Sequence, residues 1–345
     1  MDKYLVSFIM PVYNCENYIT DTLINLQRFF LSFEDKIELI CIDDGSTDRT
    51  VQVINDFKER NNLHYIKIIK NDHLGVSASR NLGISISSGK YVSMIDSDDD
   101  YQEGFLNEFE NQTKIFDYPD FILEDVKGIT NNIYVKSVND KELSYLLNII
   151  FRIGHIQGET GVASKFIKSS VIKGNGLFYN EKLNISEDVL FNIDCILKCK
   201  SYLTSNANFY NVKPSHSMSY FNENNLNSQI IYIGQLKKKL NGFSNTNDII
   251  DLAYQKALNI IIERYFGPLY VNGTYSLKET SNKLKKIIYD YSFKEHLKNK
   301  RIQNVPANDG FRYKTFRVLI RNNLFRFAIL FDKYLDKIKG YNRFK

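Results

Sequence analysis

The sequence contains no tryptophan and few cysteines among its 345 residues. The cysteines lack partner Cys or His residues at the spacing of a zinc site, so we expect a reduced, cytoplasmic protein without a disulfide framework. No apolar run reaches the roughly 18 residues of a membrane-spanning helix, and residues 324–331, which come nearest, contain Arg326. The first residues lead directly into a predicted strand, so no signal peptide is expected. The cysteines are Cys15, Cys41, Cys195 and Cys199.

A glycine-rich phosphate loop is also missing after the first predicted strand. A nicotinamide oxidoreductase would carry Gly-x-Gly-x-x-Gly there, but residues 11–14 read Pro-Val-Tyr-Asn. A nucleotidyltransferase would also need a glycine-rich loop at this place, although it shares the sheet architecture and the use of a metal. A phosphatase with an Asp-x-Asp nucleophile would place that triplet after the first strand, whereas here it follows the fourth. These absences disfavour three common classes of α/β enzyme.

Strands and helices alternate through the first 125 residues. Short apolar segments are separated by helical patterns of ten to fifteen residues. This alternation predicts an α/β fold with a doubly wound, mostly parallel sheet of the Rossmann type. In such a sheet, ligands bind beyond the carboxyl ends of the strands. The predicted strands are residues 6–10, 37–42, 64–69, 91–95 and 121–123.

The pattern changes toward the carboxyl terminus. Residues 140–220 mix strand and helix signals, and from about residue 224 the pattern is helical. The sequence therefore predicts two domains, residues 1–220 with the parallel sheet and residues 221–345 with a helical region. Residues 311–345 contain ten Lys or Arg against two Asp, so the basic excess of the chain lies at this end.

Apolar residues in the basic end recur at spacings of three and four, which predicts an amphipathic helix. Two interpretations stay open: the apolar stripe packs on the preceding helices, or it lies on an anionic membrane surface. No nucleic-acid partner is expected, because the basic residues interleave with large aliphatic ones and no recognition motif is present. The stripe consists of Tyr313, Phe316, Ile320, Leu324, Phe327, Phe331, Leu335 and Ile338.

Acidic residues follow two of the predicted parallel strands. Asp96-Ser97-Asp98 comes after the fourth strand, and two carboxylates flanking one residue can bind Mg²⁺ or Mn²⁺, which keep phosphate and water as further ligands. Asp43 and Asp44 follow the second strand, where a carboxylate can accept hydrogen bonds from a base or a ribose. Solvated turns and helix caps are the structural alternatives for both clusters.

Basic and acidic residues elsewhere are candidates for the same edge of the sheet. Arg80 lies near the start of the third predicted helix, where a guanidinium can pair with a phosphate; a surface arginine is the alternative. Glu187 and Asp188 open a later helix, whose dipole favours negative charge. One of these carboxylates can act as a general base, and taken alone the pair would be interpreted as helix-capping acids.

Four segments in the first hundred residues combine apolar, small and acidic residues in a set order. They are residues 6–14 (VSFIMPVYN), 42–50 (IDDGSTDRT), 75–83 (GVSASRNLG) and 89–99 (GKYVSMIDSDD). Together they resemble the signatures of the family 2 glycosyltransferases, which have the GT-A fold. A looser block over residues 165–192 is similar to the acceptor-side segment of bacterial members. The resemblance covers about residues 4–220.

The resemblance implies a role for each matching residue on the donor side. Pro11, Tyr13 and Asp44 would line the nucleotide base, usually uracil, with Asp44 reading its edge. Asp96 and Asp98 would form the metal-binding signature, with Asp98 as the direct ligand and Asp96 nearer the ribose or the metal. The implied cofactor is Mn²⁺ or Mg²⁺, and the implied co-substrate is a nucleotide-sugar donor, usually a UDP-sugar.

On the acceptor side, the resemblance implies that Asp188 is the catalytic base, with Glu187 beside it. The implied reaction is a single displacement that inverts the anomeric carbon, with a glycan or lipid-linked hydroxyl as acceptor. The product would belong to a capsule or another cell-surface polysaccharide. Processive members use a Gln-x-x-Arg-Trp motif, which this chain lacks, so transfer of one sugar per encounter is expected.

The sequence departs from the family pattern before its Ser-x-Ser segment, where many members carry an arginine. Lys213 stands there, and a lysine offers a point charge in place of a bidentate fork. His216 follows and could reach the metal or a phosphate. The alternatives to a glycosyltransferase are a nucleotidyltransferase that binds sugar nucleotides and an inactive sugar-binding relative. The expected location is cytoplasmic. Peripheral contact with the inner face of the membrane and the oligomeric state are both left open.

Overall fold

The computed structural model describes residues 2–213, 221–299 and 310–339. The chain divides into two units, which we call the α/β unit and the helical unit. The α/β unit comprises Met1–Ile150, His155–Glu181 and Glu187–His216. The helical unit comprises Phe151–Gly154, Lys182–Ser186 and Ser217–Lys345.

A mixed, mostly parallel sheet forms the centre of the α/β unit. Its strands are β1 (Tyr4–Val12), β2 (Ile37–Asp43), β3 (Ile66–Lys70), β4 (Gly89–Met94), β6 (Phe121–Leu123), β7 (Ile133–Val135), β8 (Lys165–Lys168) and β9 (Tyr202–Thr204). A separate two-stranded sheet pairs β5 (Asp100–Tyr101) with β10 (Tyr210–Asn211). In the described residues the sheet order is β3-β2-β1-β4-β8-β6-β9-β7. The first four strands in this order are parallel, and β8 is antiparallel to both of its neighbours.

This architecture confirms the predicted α/β fold. The five strands predicted from the sequence are present within a few residues of their expected bounds. The large sheet contains three further strands, of which β7 precedes the region of mixed signals and β8 and β9 lie within it. Strands of three or four residues are too short to show a clear period in the sequence.

Helices cover both faces of the sheet. They are α1 (Ile19–Phe30), α2 (Thr50–Arg60), α3 (Val76–Ile86), α4 (Phe105–Ile115), α5 (Asp140–Phe151), α6 (Ser169–Gly174) and α7 (Glu187–Ile196), with a 3₁₀ turn at Leu31–Phe33. On one face Phe8 of β1 stacks on Phe30 of α1, with ring centroids 4.9 Å apart, and meets Phe105 of α4 edge-on. On the other face Ile9 packs against Gly83 of α3. The central strand is thus buried on both sides, as parallel strands require.

The helical unit contains α8 (Asn225–Leu240), α9 (Asn247–Ile261), α10 (Gly267–Val271), α11 (Leu277–Asp290), α12 (Phe293–His296), α13 (Phe311–Arg321) and α14 (Phe325–Lys339). A π-helical turn, Ile262–Phe266, joins α9 to α10. Arg312 pairs with Glu263 of this turn at 2.7 Å and with the buried Asp332 of α14. No helix in the described ranges is long and apolar enough to span a membrane, and all four cysteines are buried and free.

The basic end forms two helices where the sequence pattern predicts one stripe. Asn323 takes a positive φ of 61° between α13 and α14, and this break shifts the phase of the second helix. Phe316 and Ile320 are buried, as the packing interpretation expects. Phe327 is 60% exposed, and Phe325, Ala328 and Ile329 are buried in its place. The side chain of Ile338 and all of residues 340–345 lie outside the described part of the chain.

Candidate functional site

Backbone hydrogen bonds align the carboxyl ends of the four parallel strands. The amide of Asp44 donates to the carbonyl of Val12 at 2.9 Å, and that of Ile95 donates to Ile9 at 3.0 Å. The amide of Asn71, after β3, donates to Asp43 at 2.7 Å. The polar residues that follow β1, β2, β3 and β4 are therefore neighbours along one edge of the sheet, as predicted from the topology.

The carboxylate of Asp44 organises the loop between β3 and α3. Its Oδ1 accepts hydrogen bonds from the amides of Leu74 (3.0 Å) and Gly75 (3.1 Å), and from the side chains of Asn71 (3.2 Å) and Ser79 (3.3 Å). Its Oδ2 accepts from the Gly75 amide at 3.0 Å. Asp44 thus supplies the negative charge that the amino-terminal end of α3 favours.

Asp43, Pro11 and Tyr13 lie beside this loop. Asp43 is buried, and its Oδ1 accepts a hydrogen bond from the amide of Ser46 in the next turn. Pro11 pairs with Ile42 across β1 and β2. Tyr13 is 45% exposed, and its ring centroid lies 4.8 Å from that of His73. The residues expected to line a base therefore occupy one stretch of the edge.

A second group forms around the buried guanidinium of Arg80. Its Nη1 donates to Glu187 Oε1 at 2.8 Å, and its Nη2 donates to Asp96 Oδ1 at 3.3 Å. The guanidinium lies 5.3 Å from the centre of the Tyr179 ring. Burial by itself would lower the pKa of Arg80, but the electrostatic effect of Tyr179 and the nearby carboxylates holds it above the usual range. Arg80 therefore joins an acid that follows β4 to an acid that opens α7.

Asp188 lies next to this group at the start of α7. Burial raises the pKa of its carboxyl group, and the adjacent Glu187 raises it further, while Arg80 and Lys165 act in the opposite sense. The Asp188 Oδ1 accepts a hydrogen bond from the amide of Val189 at 2.7 Å. A carboxyl group whose pKa is raised toward neutrality binds a proton more strongly than an exposed one, which suits a general base.

The loop before β8 shapes the space beside Asp188. A methyl group at Gly161 would lie 3.2 Å from Asp188 Oδ2, so a residue without a side chain leaves room for the carboxylate. The buried Lys165 donates to the carbonyls of Glu159, Gly161 and Ala163 at 2.6–3.0 Å, and the Asn192 amide also donates to Gly161. These bonds fix a loop for which the sequence provides no motif.

A third group contains the remaining acids after β4. Asp99 accepts hydrogen bonds from the hydroxyl of Tyr210 at 2.9 Å and from the amide of Lys213 at 2.9 Å. Burial raises the pKa of Asp99 to about 6 despite these bonds, and Asp96 and Asp98 add to the effect. The ammonium group of Lys213 pairs with Asp100 at 2.7 Å. Lys213 therefore neutralises part of the acidic turn, while His216 lies outside the described residues.

The acids after β4 fit a divalent cation that is shared with a phosphate ligand. The Asp96 side chain is 43% exposed, Asp98 is partly exposed, and the buried Asp100 Oδ1 has no hydrogen-bond partner in the described ranges. Carboxylate oxygens are the ligands that Mg²⁺ and Mn²⁺ prefer. No cluster of three or more His, Cys, Asp or Glu ligands occurs among the described side chains. Asp96 and Asp98 would thus hold the ion together with phosphate oxygens and water.

Several residues of the site have no counterpart among the sequence candidates. Tyr179 backs Arg80 and stacks on Phe191, with centroids 4.0 Å apart. Tyr210 accepts a hydrogen bond from the Asp96 amide and donates one to Asp99. Tyrosines are abundant in this chain, so their frequency carries no signal. The only sequence signal that could have indicated these tyrosines is the group of acidic residues after β4, which Tyr210 contacts directly and Tyr179 contacts through Arg80.

Comparisons with known proteins show what the chain is similar to. The model of the family described as Glycosyl transferase family 2 matches residues 7–114. A poly(ribitol-phosphate) beta-glucosyltransferase of Bacillus spizizenii is 30% identical over 205 residues, which are 58% of this chain and 31% of that protein. The chain thus spans about a third of the length of this curated relative.

Two solved structures share the fold. TarS 1–349 of S. aureus in complex with UDP-GlcNAc has a TM-score of 0.61 at 19% identity, and the match covers 97% of this chain and 92% of that one. The mannosyltransferase PcManGT of Pyrobaculum calidifontis in complex with GDP-Man and Mn²⁺ has a TM-score of 0.51 at 13% identity, covering 96% and 88%. These likenesses confirm the predicted GT-A fold, including its helical carboxyl-terminal region.

Proposed function

Because residues 7–114 match the model of glycosyltransferase family 2, we propose that this protein is a glycosyltransferase that moves one sugar from a UDP-linked donor to a growing cell-wall polysaccharide. The observation that carries the proposal is the joining of donor-side and acceptor-side acids through Arg80, which bridges Asp96 and Glu187. The relatives named above support the donor class, since TarS is described with UDP-GlcNAc bound.

In the proposed reaction, the acceptor hydroxyl attacks the anomeric carbon as its proton passes to Asp188. The raised pKa of this carboxyl group suits the step, because a base must hold the proton after transfer. Arg80 Nη1 donates to Glu187 Oε1 at 2.8 Å and so holds this side chain beside the base. One displacement on the face opposite the leaving group inverts the anomeric carbon and needs no covalent intermediate.

The leaving nucleoside diphosphate would lie along the acids after β4. Asp96 and Asp98 would hold Mn²⁺ or Mg²⁺, which when bound neutralises the charge that develops on the diphosphate. Without a counter-ion these carboxylates would repel it. Lys213 already pairs with Asp100, and in this proposal Asp96 and Asp98 are the acids assigned to the ion.

The acceptor in this proposal is a glycan or a lipid-linked precursor of a polymer such as a poly(polyol phosphate), by analogy with the poly(ribitol-phosphate) glucosyltransferase. A lipid-linked acceptor would place the enzyme at an anionic membrane surface. The exposed Phe327 and Tyr334 of α14, together with the exposed Lys333, offer apolar and basic groups for that contact.

Calorimetry with UDP, with and without Mn²⁺, followed by assays with a panel of nucleotide sugars, tests the proposal. The wild-type protein should bind UDP more tightly with Mn²⁺, and Asp98→Ala should lose this gain. Asp188→Asn should keep UDP affinity but lose transfer by about 10²–10⁴-fold, which is typical for removal of a general base. Asp56→Asn, which changes an acid paired with Arg60 on the surface of α2, serves as control.

Three results would contradict the proposal at different points. A wild-type protein that neither binds UDP nor consumes any nucleotide sugar would exclude the donor class. Unchanged Mn²⁺-dependent UDP affinity in Asp98→Ala would remove Asp98 from the metal site. Near-normal transfer by Asp188→Asn would mean that the base is another residue, with Glu187 as the first to be tested.

A further inference from the structure

The loop of residues 159–163 leaves open space in front of one oxygen of Asp188. A methyl group at Gly161 would lie 3.2 Å from Asp188 Oδ2 and would meet no other atom within 4 Å in the described part of the chain. The other oxygen, Oδ1, already accepts a hydrogen bond from the amide of Val189 at 2.7 Å. The oxygen that is left to receive the proton of an acceptor is therefore the one that faces this space.

The backbone conformation does not require a glycine at position 161. Glycine is usual where φ is positive or where the backbone closely approaches another group. Gly128 and Gly176 of the same unit have a positive φ, whereas Gly161 does not, so an alanine can adopt the backbone conformation of Gly161. The only close approach at this position in the described ranges is to Asp188 Oδ2. The missing side chain thus affects the surroundings of the base.

Hydrogen bonds hold the loop in place against Asp188. The ammonium group of the buried Lys165 donates to three carbonyls of the loop at 2.6–3.0 Å, and the carbonyl of Gly161 is one of them. The side-chain amide of Asn192, on the helix that begins with Glu187, donates to the same Gly161 carbonyl at 2.8 Å. Moving the loop would leave a buried charged donor short of acceptors, which is costly. A methyl group at Gly161 would therefore stay close to Asp188 Oδ2.

The room in front of Asp188 Oδ2 matters for the kind of hydroxyl group that can react. A hydroxyl group that gives its proton to Oδ2 must bring its oxygen to within about 2.5–3.0 Å of it. The carbon atom that carries the hydroxyl then also needs space near Oδ2. Water has no such carbon, the carbon of a primary alcohol has one carbon neighbour, and that of a secondary alcohol has two. The open side at Gly161 is thus most important for a secondary hydroxyl.

We propose that Gly161 is a specificity-determining residue for the acceptor, because its missing side chain admits a secondary hydroxyl of a polyol or a sugar ring to Asp188 Oδ2. The hydroxyl oxygen forms the new bond to the anomeric carbon, and its proton passes to Oδ2. The bond from that carbon to the nucleoside diphosphate breaks, and its electron pair leaves with the diphosphate. The inference rests on the proposed function, because it assumes transfer with Asp188 as the base, and it adds the class of hydroxyl that is used.

Ribitol tests the inference, because one molecule offers primary hydroxyls at its ends and secondary hydroxyls between them. The wild type should transfer sugar from the UDP-sugar that it consumes to a secondary hydroxyl, as determined by NMR of the product. Gly161→Ala should lower this transfer by about 100-fold, the typical cost of misplacing a reactant by about 1 Å. Hydrolysis of the donor, in which water is the acceptor, should stay near the wild-type rate. Gly174→Ala, whose added methyl group meets nothing within 4 Å, should match the wild type in both reactions.

The ratio of transfer to hydrolysis separates acceptor selection from a structural role. An equal loss of both reactions in Gly161→Ala would mean that the methyl group disturbs Asp188 or the fold, and this would overturn the inference. A wild type that transfers sugar to the primary hydroxyls, or that hydrolyses the donor without any transfer to ribitol, would overturn it independently of the variant. A wild type that consumes no UDP-sugar would contradict the proposed function instead.

Discussion

Arg80 shows how one buried side chain can organise several acids. A buried guanidinium is costly unless its donors are paired, and here two carboxylates from distant parts of the chain pair with Nη1 and Nη2, while Nε has no hydrogen-bond partner among the described residues. The sequence suggested a phosphate partner for Arg80. In the structure its Nη1 and Nη2 already donate to Glu187 and Asp96, so its direct effect is to hold these two acids in place.

Glu124 is a buried acid that the proposed reaction does not use. It follows β6, and neither of its carboxylate oxygens has a hydrogen-bond partner among the described residues. Burial raises its pKa to about 8, with smaller effects from Glu108 and Asp125. In the folded protein the group is therefore protonated at neutral pH, whereas in the unfolded chain it ionises near its ordinary pKa of 4.5.

This difference predicts how stability depends on pH. The unfolded chain releases the Glu124 proton at a lower pH than the folded protein does. The stabilising contribution of this group to the free energy of unfolding is therefore complete below about pH 4.5 and is lost as pH rises toward 8. The slope can reach about 1.4 kcal/mol per pH unit. Glu124→Gln should remove this component, as measured by urea unfolding between pH 5 and pH 8, with Glu59→Gln as an exposed control. Parallel pH profiles for wild type and Glu124→Gln would contradict the assignment.

Helix α3 connects the sheet to the site, and its fit depends on Gly83. A methyl group at Gly83 would lie 2.4 Å from Cγ2 of the fully buried Ile9 on β1. A β-branched side chain in a packed core has little freedom to move aside. Because Arg80 and Ser79 lie on the preceding turn of α3, the spacing of this helix from β1 also sets the position of the Arg80 guanidinium.

Gly83→Ala should therefore destabilise the protein by about 1–3 kcal/mol, the usual cost of overpacking a core. Gly174→Ala is the matched control, since a methyl group at the last residue of α6 meets nothing within 4 Å. Denaturant unfolding of the two variants should separate them clearly. If Gly83→Ala were as stable as Gly174→Ala, the close approach of α3 to β1 would not constrain the structure.

Over the whole chain, positive charge is concentrated at the carboxyl-terminal end. On α14, three exposed basic residues, Arg326, Lys333 and Lys337, accompany exposed apolar groups such as Phe327. The opposite side of this helix is packed, because Ala328 and Ile329 are fully buried. The structure thus shows packing on one side of the helix, while contact of the exposed side with a membrane stays a prediction from its basic and apolar composition.

Binding to anionic vesicles tests this surface. Each Lys or Arg near an anionic membrane contributes roughly 1 kcal/mol, so replacing Arg326, Lys333 and Lys337 by Gln should weaken cosedimentation by on the order of 100-fold at low salt. Neutral vesicles should bind weakly, and salt should reduce binding to anionic ones. Replacing the exposed Lys127, Lys136 and Lys141 by Gln controls for net charge. Equal binding to both vesicle types, or an equal effect of the two triple variants, would contradict the membrane contact.

The sequence by itself determined the parallel strands, the helices between them and the edge at which the acids collect. These features follow from local periodicity, since an apolar strand that ends in Asp43-Asp44 or in Asp96-Ser97-Asp98 carries both signals within a few residues. The GT-A fold was predicted from the resemblance of four ordered segments to the family 2 glycosyltransferases.

Only the tertiary structure decided which side chains meet at that edge. Arg80 and Glu187 are 107 residues apart, and His73 reaches Asp44 through a strained turn, so neither contact leaves a periodic signal. The phase shift between α13 and α14 came from one residue, Asn323, in a left-handed conformation. Burial set the proton affinities of Asp188 and Glu124, and burial depends on everything packed around a residue and not on its neighbours in sequence.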